Sequence, residues 1–230
     1  MFYTVDKYIN MNERQGKILE FLVREYINKA EPVGSGVLAE KEELGVSSAT
    51  IRNDLAELEV EEMLFQPHTS AGRIPTEKGY KYFTDNFLKD YNIERESEEI
   101  EKNKGEGEEK IKNIAKTVAR ISTDAIFVAF EKRNIYYTGI SNLFKKSEFE
   151  DKNIVVNMSE IIDKLDDVVS KIYDNISEDP NIFLGKESPF GSGCAAITAR
   201  KNKIIFGIVG LSRMDYEKNI ALIKFIKEII

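Results

Sequence analysis

The sequence predicts an α+β protein. A winged helix-turn-helix domain is expected over residues 1–90, a charged linker or helix over 91–112, and an α/β sandwich over 113–230. Three observations carry that prediction. Apolar residues recur at helical spacing up to about Leu58, and the period is lost from Leu64 to Pro75, where Pro67, Gly72 and Pro75 punctuate a short hairpin or wing. From Ala125 the runs AIFVAF and IYYTGI have the β-rich composition of strands. Between these regions lies NIERESEEIEKNKGEGEEKIK, Asn92 to Lys112, dominated by charge. At 230 residues the chain is long enough for two modest cores, since one core serves about 100 to 200 residues.

The first helix is expected from Asn12, a plausible N-cap, with Ile18, Leu19, Leu22, Val23, Tyr26 and Ile27 on one face. Glu31-Pro32-Val33-Gly34 breaks it. Ser35 can cap a second, short helix that turns Val37, Leu38 and Leu44 inward, and Gly45 suits the left-handed position that ends it. Ser47 caps a third helix whose apolar face is Ile51, Leu55 and Leu58, leaving Thr50, Arg52 and Asn53 to look elsewhere. Helix, helix, tight turn, helix and wing is the order of a winged helix-turn-helix, a DNA-binding layout. Tyr80, Phe83, Phe87 and Leu88 continue a fourth helix.

In the second half, Ala125–Phe130 and Ile135–Ile140 read as a hairpin around a charged turn. A short helix near Ser141–Phe149 follows, then a longer one over Ser159–Ile176 with Ile161, Ile162, Leu165, Val168, Val169 and Ile172 as its buried stripe. Strands are expected at Ile182–Gly185, Cys194–Arg200 and Lys203–Gly210, the last two joined at Lys201-Asn202, and a final helix from Asp215. Strands bracketed by helices make a sandwich. The charged Asn92–Lys112 stretch reads as a solvated linker or exposed helix, or as an acidic patch for a partner.

The net charge of −7 argues against a protein that neutralises phosphates, unless the charges are segregated. They are: the acids Glu57, Glu59, Glu61 and Glu62 belong to the rear of helices, whereas Arg52, Arg73, Lys78 and Lys81 cluster about the third helix and the wing. Cys194 is the single cysteine, which excludes an intramolecular disulfide, suits a reducing cytoplasm and is expected in a core. No apolar run approaches the roughly 20 residues of a membrane span. Met1–Met11 lacks the features of an export signal.

Arg52 and Asn53 are the expected base or phosphate contacts, because Arg pairs bidentately with guanine and Asn with adenine. The alternative for Arg52 is a surface ion pair with Glu59 or another acid. Ser48 and Thr50 are expected as phosphate ligands, and the amides of the third helix's N-terminus, at Ser47, face whatever it docks on. Arg73 is expected at the wing tip beside Gly72, reaching a phosphate or the minor groove. His68, the single histidine, cannot make a metal site and reads as a hydrogen-bonding group of the wing. GKESPFGSG, from Gly185 to Gly193, has its Lys186 on the wrong side of the glycines for a phosphate loop. No metal, cofactor or catalytic set is expected.

The stretches EPVGS (Glu31–Ser35), GVSSATIRNDLAELE (Gly45–Glu59), QPHTSAGRIPT (Gln66–Thr76) and KGYKYF (Lys78–Phe83) resemble the heat-inducible transcription repressor family HrcA, the regulator of bacterial chaperone operons. Gly139–Leu143, Glu148-Phe149, Gly207–Gly210 and Arg213–Tyr216 look like that family's GAF-like C-terminal domain. The resemblance implies a homodimer on an inverted-repeat operator in double-stranded DNA, a chaperonin among the partners, release on heat stress, and a helix from near Ile111 opening the second domain. Its alternative is a regulator whose GAF-like domain senses a metabolite; an enzyme has almost no support. Two positions depart from the family: Gly36 stands where a basic or polar residue is usual, and Glu62 where there is a glycine before the wing. Typical members are longer, with a segment inserted in the second domain, most of which this chain lacks. Family members usually start at a sequence like Met11–Gln15, so Met1–Asn10 reads as an extra arm or a misassigned start.

Overall fold

In the computed structural model, which describes residues 11–150, 152–185 and 188–230, the chain divides into two units, Met1–Phe87 and Leu88–Ile230. The Met1–Asn10 arm and Lys186 lie outside the described residues. Asn12 opens the first unit with a reciprocal cap: its side chain accepts from the Gln15 amide, and its own N–H donates to the Gln15 side chain, each at 3.0 Å. Helix α1 (Glu13–Lys29) then buries Ile18, Leu19, Leu22 and Val23. α2 (Ser35–Ala39) follows, capped by Gly34 rather than by Ser35, which is the first helical residue. Val37, expected inward, is 38% exposed while Leu38 is fully buried. Neighbours on a helix are about 100° apart, so a five-residue helix with one buried contact line can turn in only one of them.

Gly45 takes φ +59 and ends the turn before α3 (Ser48–Val60), whose Ile51, Leu55 and Leu58 are buried. Strands β1 (Leu64–Phe65) and β2 (Ile74–Pro75) pair antiparallel, Leu64 with Pro75 and Phe65 with Ile74. α4 (Glu77–Asn86) starts on Thr76, which accepts from the Gly79 amide at 3.1 Å. Gly79 is required there, because a Cβ would lie 2.2 Å from the Met63 carbonyl oxygen. The fourth helix stops at Asn86, short of the expected Leu88. Arg24 donates to the Phe87 carbonyl at 2.8 Å, and the Phe87 ring reaches to 3.4 Å from where a Cβ on Gly16 of α1 would stand.

The second unit opens with α5 (Glu94–Glu101) and α6 (Gly107–Ser122). The charged stretch therefore carries helix, and its Ile100 is fully buried. Strands β3 (Ala125–Glu131) and β4 (Asn134–Thr138) form the expected hairpin. α7 (Ile140–Leu143), α8 (Lys152–Asp163) and α9 (Leu165–Ile172) follow, then β5 (Asn181–Leu184), β6 (Cys194–Lys201), β7 (Ile204–Leu211) and α10 (Tyr216–Ile229). The single helix expected over Ser159–Ile176 is instead divided at Lys164, whose backbone leaves helical geometry at φ −100, ψ 4. Of its stripe, Leu165 and Val169 are buried, while Ile161, Ile162, Val168 and Ile172 pack partly buried against the core.

The five strands form one antiparallel sheet in the order β4-β3-β7-β6-β5. Alternation sends Phe127, Ala129, Ala196 and Val209 toward Leu143, Met158, Leu165 and Val169 of the helices α7 to α9. The opposite face packs against α6 and α10, which is why β3, β6 and β7 are apolar almost throughout. Cys194 is a core residue, 3% exposed. Phe127 needs Gly207 as its cross-strand neighbour, since a Cβ there would lie 2.1 Å from its ring.

Candidate nucleic-acid interface

Helix α3 has one apolar face, and its polar residues divide into two groups around it. On the α1 side, Asp54 is 3% exposed and accepts from Arg14 at 2.8 and 3.0 Å, a bidentate pair. Glu57 accepts from Gln15 at 2.5 Å. These bonds tie α3 to α1, and the Arg14 guanidinium neutralises Asp54, which would otherwise repel a phosphate backbone. On the outer side, Arg52 and Asn53 are exposed, and neither has a hydrogen bond or ion pair among the described residues. Arg52 does not take Glu59, which is held by another residue.

The N-terminus of α3 is internally bonded. Ser47 accepts from the Thr50 amide at 3.2 Å, and the two hydroxyls lie 3.0 Å apart. Ser48 is engaged with Ser35 at 2.9 Å, which joins the starts of α2 and α3. The hairpin loop is organised from within: Gln66 donates to the carbonyls of Thr69 and Ala71 at 3.1 and 2.7 Å, and Ser70 sits 3.3 Å from His68 Nδ1. His68 itself is exposed.

Arg73 is not at the hairpin tip. It directly precedes β2, its side chain is 17% exposed, and its Nε donates to Glu59 of α3 at 2.8 Å. Its backbone exchanges two bonds with Val33, each 2.9 Å, in an isolated antiparallel bridge. Beside it, a Cβ on Gly72 would lie 2.4 to 2.7 Å from the Val33 and Gly34 backbone, so only glycine allows the approach. The sequence places Arg73 next to a turn glycine, but the glycine serves this contact rather than a tip. Lys78 also turns inward along the surface, donating to the Glu61 carbonyl at 2.9 Å at the C-terminal end of α3.

Residues that hold α3 in place, Arg14, Gln15, Asp54 and Glu57, escape a reading of exposed chemistry. A signal exists for one of them. Asp54 completes the 51, 54, 55, 58 spacing of the buried face, and an acid on such a stripe announces a buried partner.

These elements define a two-unit protein of the mixed helical and antiparallel-sheet class, whose second unit is consistent with a GAF-like domain. The model described as the HrcA protein C terminal domain matches residues 68–220, well over half of the chain, and the chain belongs to the HrcA family. A "Heat-inducible transcription repressor HrcA" from Pelotomaculum thermopropionicum is 44% identical over 112 residues, covering 49% of this chain and 32% of the relative. One from Acetivibrio thermocellus is 46% identical over 112 residues, covering 49% and 31%. One from a Synechococcus is 55% identical over 86 residues, covering 37% and 22%. The matched stretches thus span a third or less of these relatives' own length. A crystal structure described as that of a hypothetical protein has a TM-score of 0.70 at 18% identity, over 95% of this chain and 96% of that one, which establishes likeness of fold. Among the described residues no helix is long and apolar enough to cross a membrane, and no group of three or more His, Cys, Asp or Glu could hold a metal ion.

Proposed function

We propose that this chain is a transcriptional repressor of heat-shock chaperone operons that binds an inverted-repeat operator as a homodimer in the cytoplasm. In this reading residues up to about 90 are a winged helix-turn-helix domain: α3 enters the major groove and the β1–β2 hairpin is the wing. Arg52 and Asn53 read bases or hold phosphates, the α3 start from Ser47 to Thr50 and the exposed His68 lie along the backbone, and Lys78 contributes charge near it. Repression is by occlusion. The GAF-like unit pairs the two heads and fixes their spacing, because one helix discriminates by only about 1 to 3 kcal/mol per well-read base pair and a monomer could hardly select a site in a genome. Heat, or loss of support from a chaperonin, separates the heads.

The observation that carries the reading is the outer edge of α3: Arg52 and Asn53 are exposed and have no partner among the described residues, while Asp54, Glu57 and Glu59 are all engaged. A metabolite-sensing regulator is less well supported. The core between sheet and helices is occupied by packed rings, Phe127 stacked on Phe190 at 6.1 Å and Phe183 edge-on to Phe190 at 5.8 Å between centroids.

Nuclease footprinting upstream of a chaperonin operon tests the proposal. Full-length protein should protect an inverted repeat, and Arg52→Ala should lose about 1 to 3 kcal/mol of affinity for it with helical content unchanged. No protected repeat would overturn the function. An unchanged dissociation constant for Arg52→Ala would remove that residue from the interface.

A further inference from the structure

We infer that Glu59 and Arg73 form a brace that sets the angle between the reading helix and the wing, making both positioning residues for DNA binding rather than contacts. The inference rests on the functional reading above and assigns Glu59 a role that its charge alone would forbid. An acid on the reading helix should repel phosphate. Here it is the acceptor that holds the wing.

The geometry is that of a strut between the last turn of α3 and the strand that returns from the hairpin, adding a side-chain tie to the backbone bond by which Met63 N–H donates to the Leu58 carbonyl at 2.9 Å. Glu59 lies in the last turn of α3, and Arg73 stands at the entry to β2, with Nε 2.8 Å from Glu59 Oε2. The intervening β1 has two residues, and the sheet it makes with β2 has two pairs. So short a ladder cannot fix its own direction. On its other side Arg73 is stitched by backbone to Val33 through two 2.9 Å bonds, with Gly72 allowing the contact. One residue is thus clamped by main chain to the turn between α1 and α2 and by side chain to α3. Arg73 is the more enclosed partner, 17% exposed against 36% for Glu59, so its guanidinium is committed to the brace rather than offered to solvent.

A brace and a phosphate ligand behave differently under exchange of charge and under salt. The probes are a duplex selected by the full-length protein from a random library and an unselected duplex of equal length. Glu59→Gln, which keeps size and an acceptor but not charge, should weaken binding to the selected duplex roughly tenfold, within the range of couplings found for contacting charged pairs. Arg73→Ala should weaken it by a similar factor while leaving the slope of log K against log salt unchanged. A phosphate contact would instead lower that slope by about one unit. Arg73→Glu alone should be worse, with two acids facing each other. The double exchange Glu59→Arg with Arg73→Glu should restore binding to within about threefold of the starting protein.

Circular dichroism melts accompany each variant, and the double exchange serves as the folded control. A slope reduced by a unit in Arg73→Ala, or no recovery in a double exchange that melts normally, would overturn the brace. Tighter binding by Glu59→Gln would overturn it too, by making Glu59 a repulsive contact. Should the unaltered protein select no duplex at all, the functional reading fails first, and the two failures are told apart.

Discussion

Glu62 occupies a left-handed backbone conformation, φ +58, at the point where the chain leaves α3 for the hairpin, and replacing it by glycine should stabilise the first unit. A left-handed conformation costs an L-residue roughly 1 to 2 kcal/mol relative to the right-handed region, a cost glycine does not carry. Glycine also gives the unfolded chain more freedom, which offsets about 0.4 to 1 kcal/mol of that gain. The backbone bonds at this position survive the change: the Glu62 N–H donates to the Glu59 carbonyl at 3.0 Å, and the Glu62 carbonyl accepts from the Thr76 hydroxyl at 2.6 Å. Its side chain is exposed, so nothing packed is lost. The balance is a gain of about 0.5 to 1 kcal/mol, or roughly 2 to 8 °C in the midpoint of a unit this size. Amide exchange of the full-length protein resolves it locally. The Met63 N–H, which donates to Leu58 at 2.9 Å, should exchange about two- to fivefold more slowly in Glu62→Gly. Glu62→Ala is the control, because alanine keeps the Cβ and should show no gain. Equal gains for Gly and Ala would refute the reasoning by tracing the effect to the lost carboxylate rather than to the backbone.

In the second unit, Thr198 is fully buried on β6 with a hydroxyl that has no hydrogen-bond partner among the described residues, so Thr198→Val should raise stability by about 1 kcal/mol in a denaturant titration. Gly207→Ala should lower it by about 1 to 3 kcal/mol in the same assay, because the new methyl would lie 2.1 Å from the Phe127 ring unless the sheet yields. Glu148 and Arg213 form a part-buried pair, Glu148 Oε2 accepting from a guanidinium nitrogen at 3.0 Å. Burial pushes the Glu148 carboxyl up, but hydrogen bonding from Arg213, a backbone hydrogen bond and the charges of Arg213 and Lys146 together hold the group below its ordinary value of 4.5. A depressed carboxyl contributes stability above its unfolded value that is lost as pH falls through the folded one, so acid unfolding of this unit should lose part of its steepness below about pH 4.5 in Glu148→Gln. Asp215 has the opposite sign: burial raises its carboxyl, and that penalty is relieved on acidification.

Much of the local structure was legible in the residues themselves. Asn12 and Ser47 announce helix starts because a side-chain oxygen can satisfy amides two or three residues on, and both do so here. The stripes of α1 and α3 were readable because burial on one face imposes a 3.6-residue period on the chain, and the strands of the second unit because burial on both faces imposes continuous apolar runs. The charged stretch before α6 misleads because a single buried residue, Ile100, anchors α5 within a composition that otherwise favours solvent. The division at Lys164 is equally hidden, since apolar spacing runs through it.

Helix starts and buried faces could thus be read along the chain, because both follow from interactions within a turn or two of backbone, and the motifs carried the family resemblance. Which charges are paired was settled instead by packing between distant segments. Arg52 and Arg73 look equivalent along the chain, yet among the described residues one has no partner and the other is bound to Glu59, 14 residues away. The strand order β4-β3-β7-β6-β5 and the pairing of Arg14 with Asp54, 40 residues apart, are decisions of the same kind. Local periodicity records how much of a segment is buried, whereas the partner of a charged group depends on which distant segment that burial brings beside it.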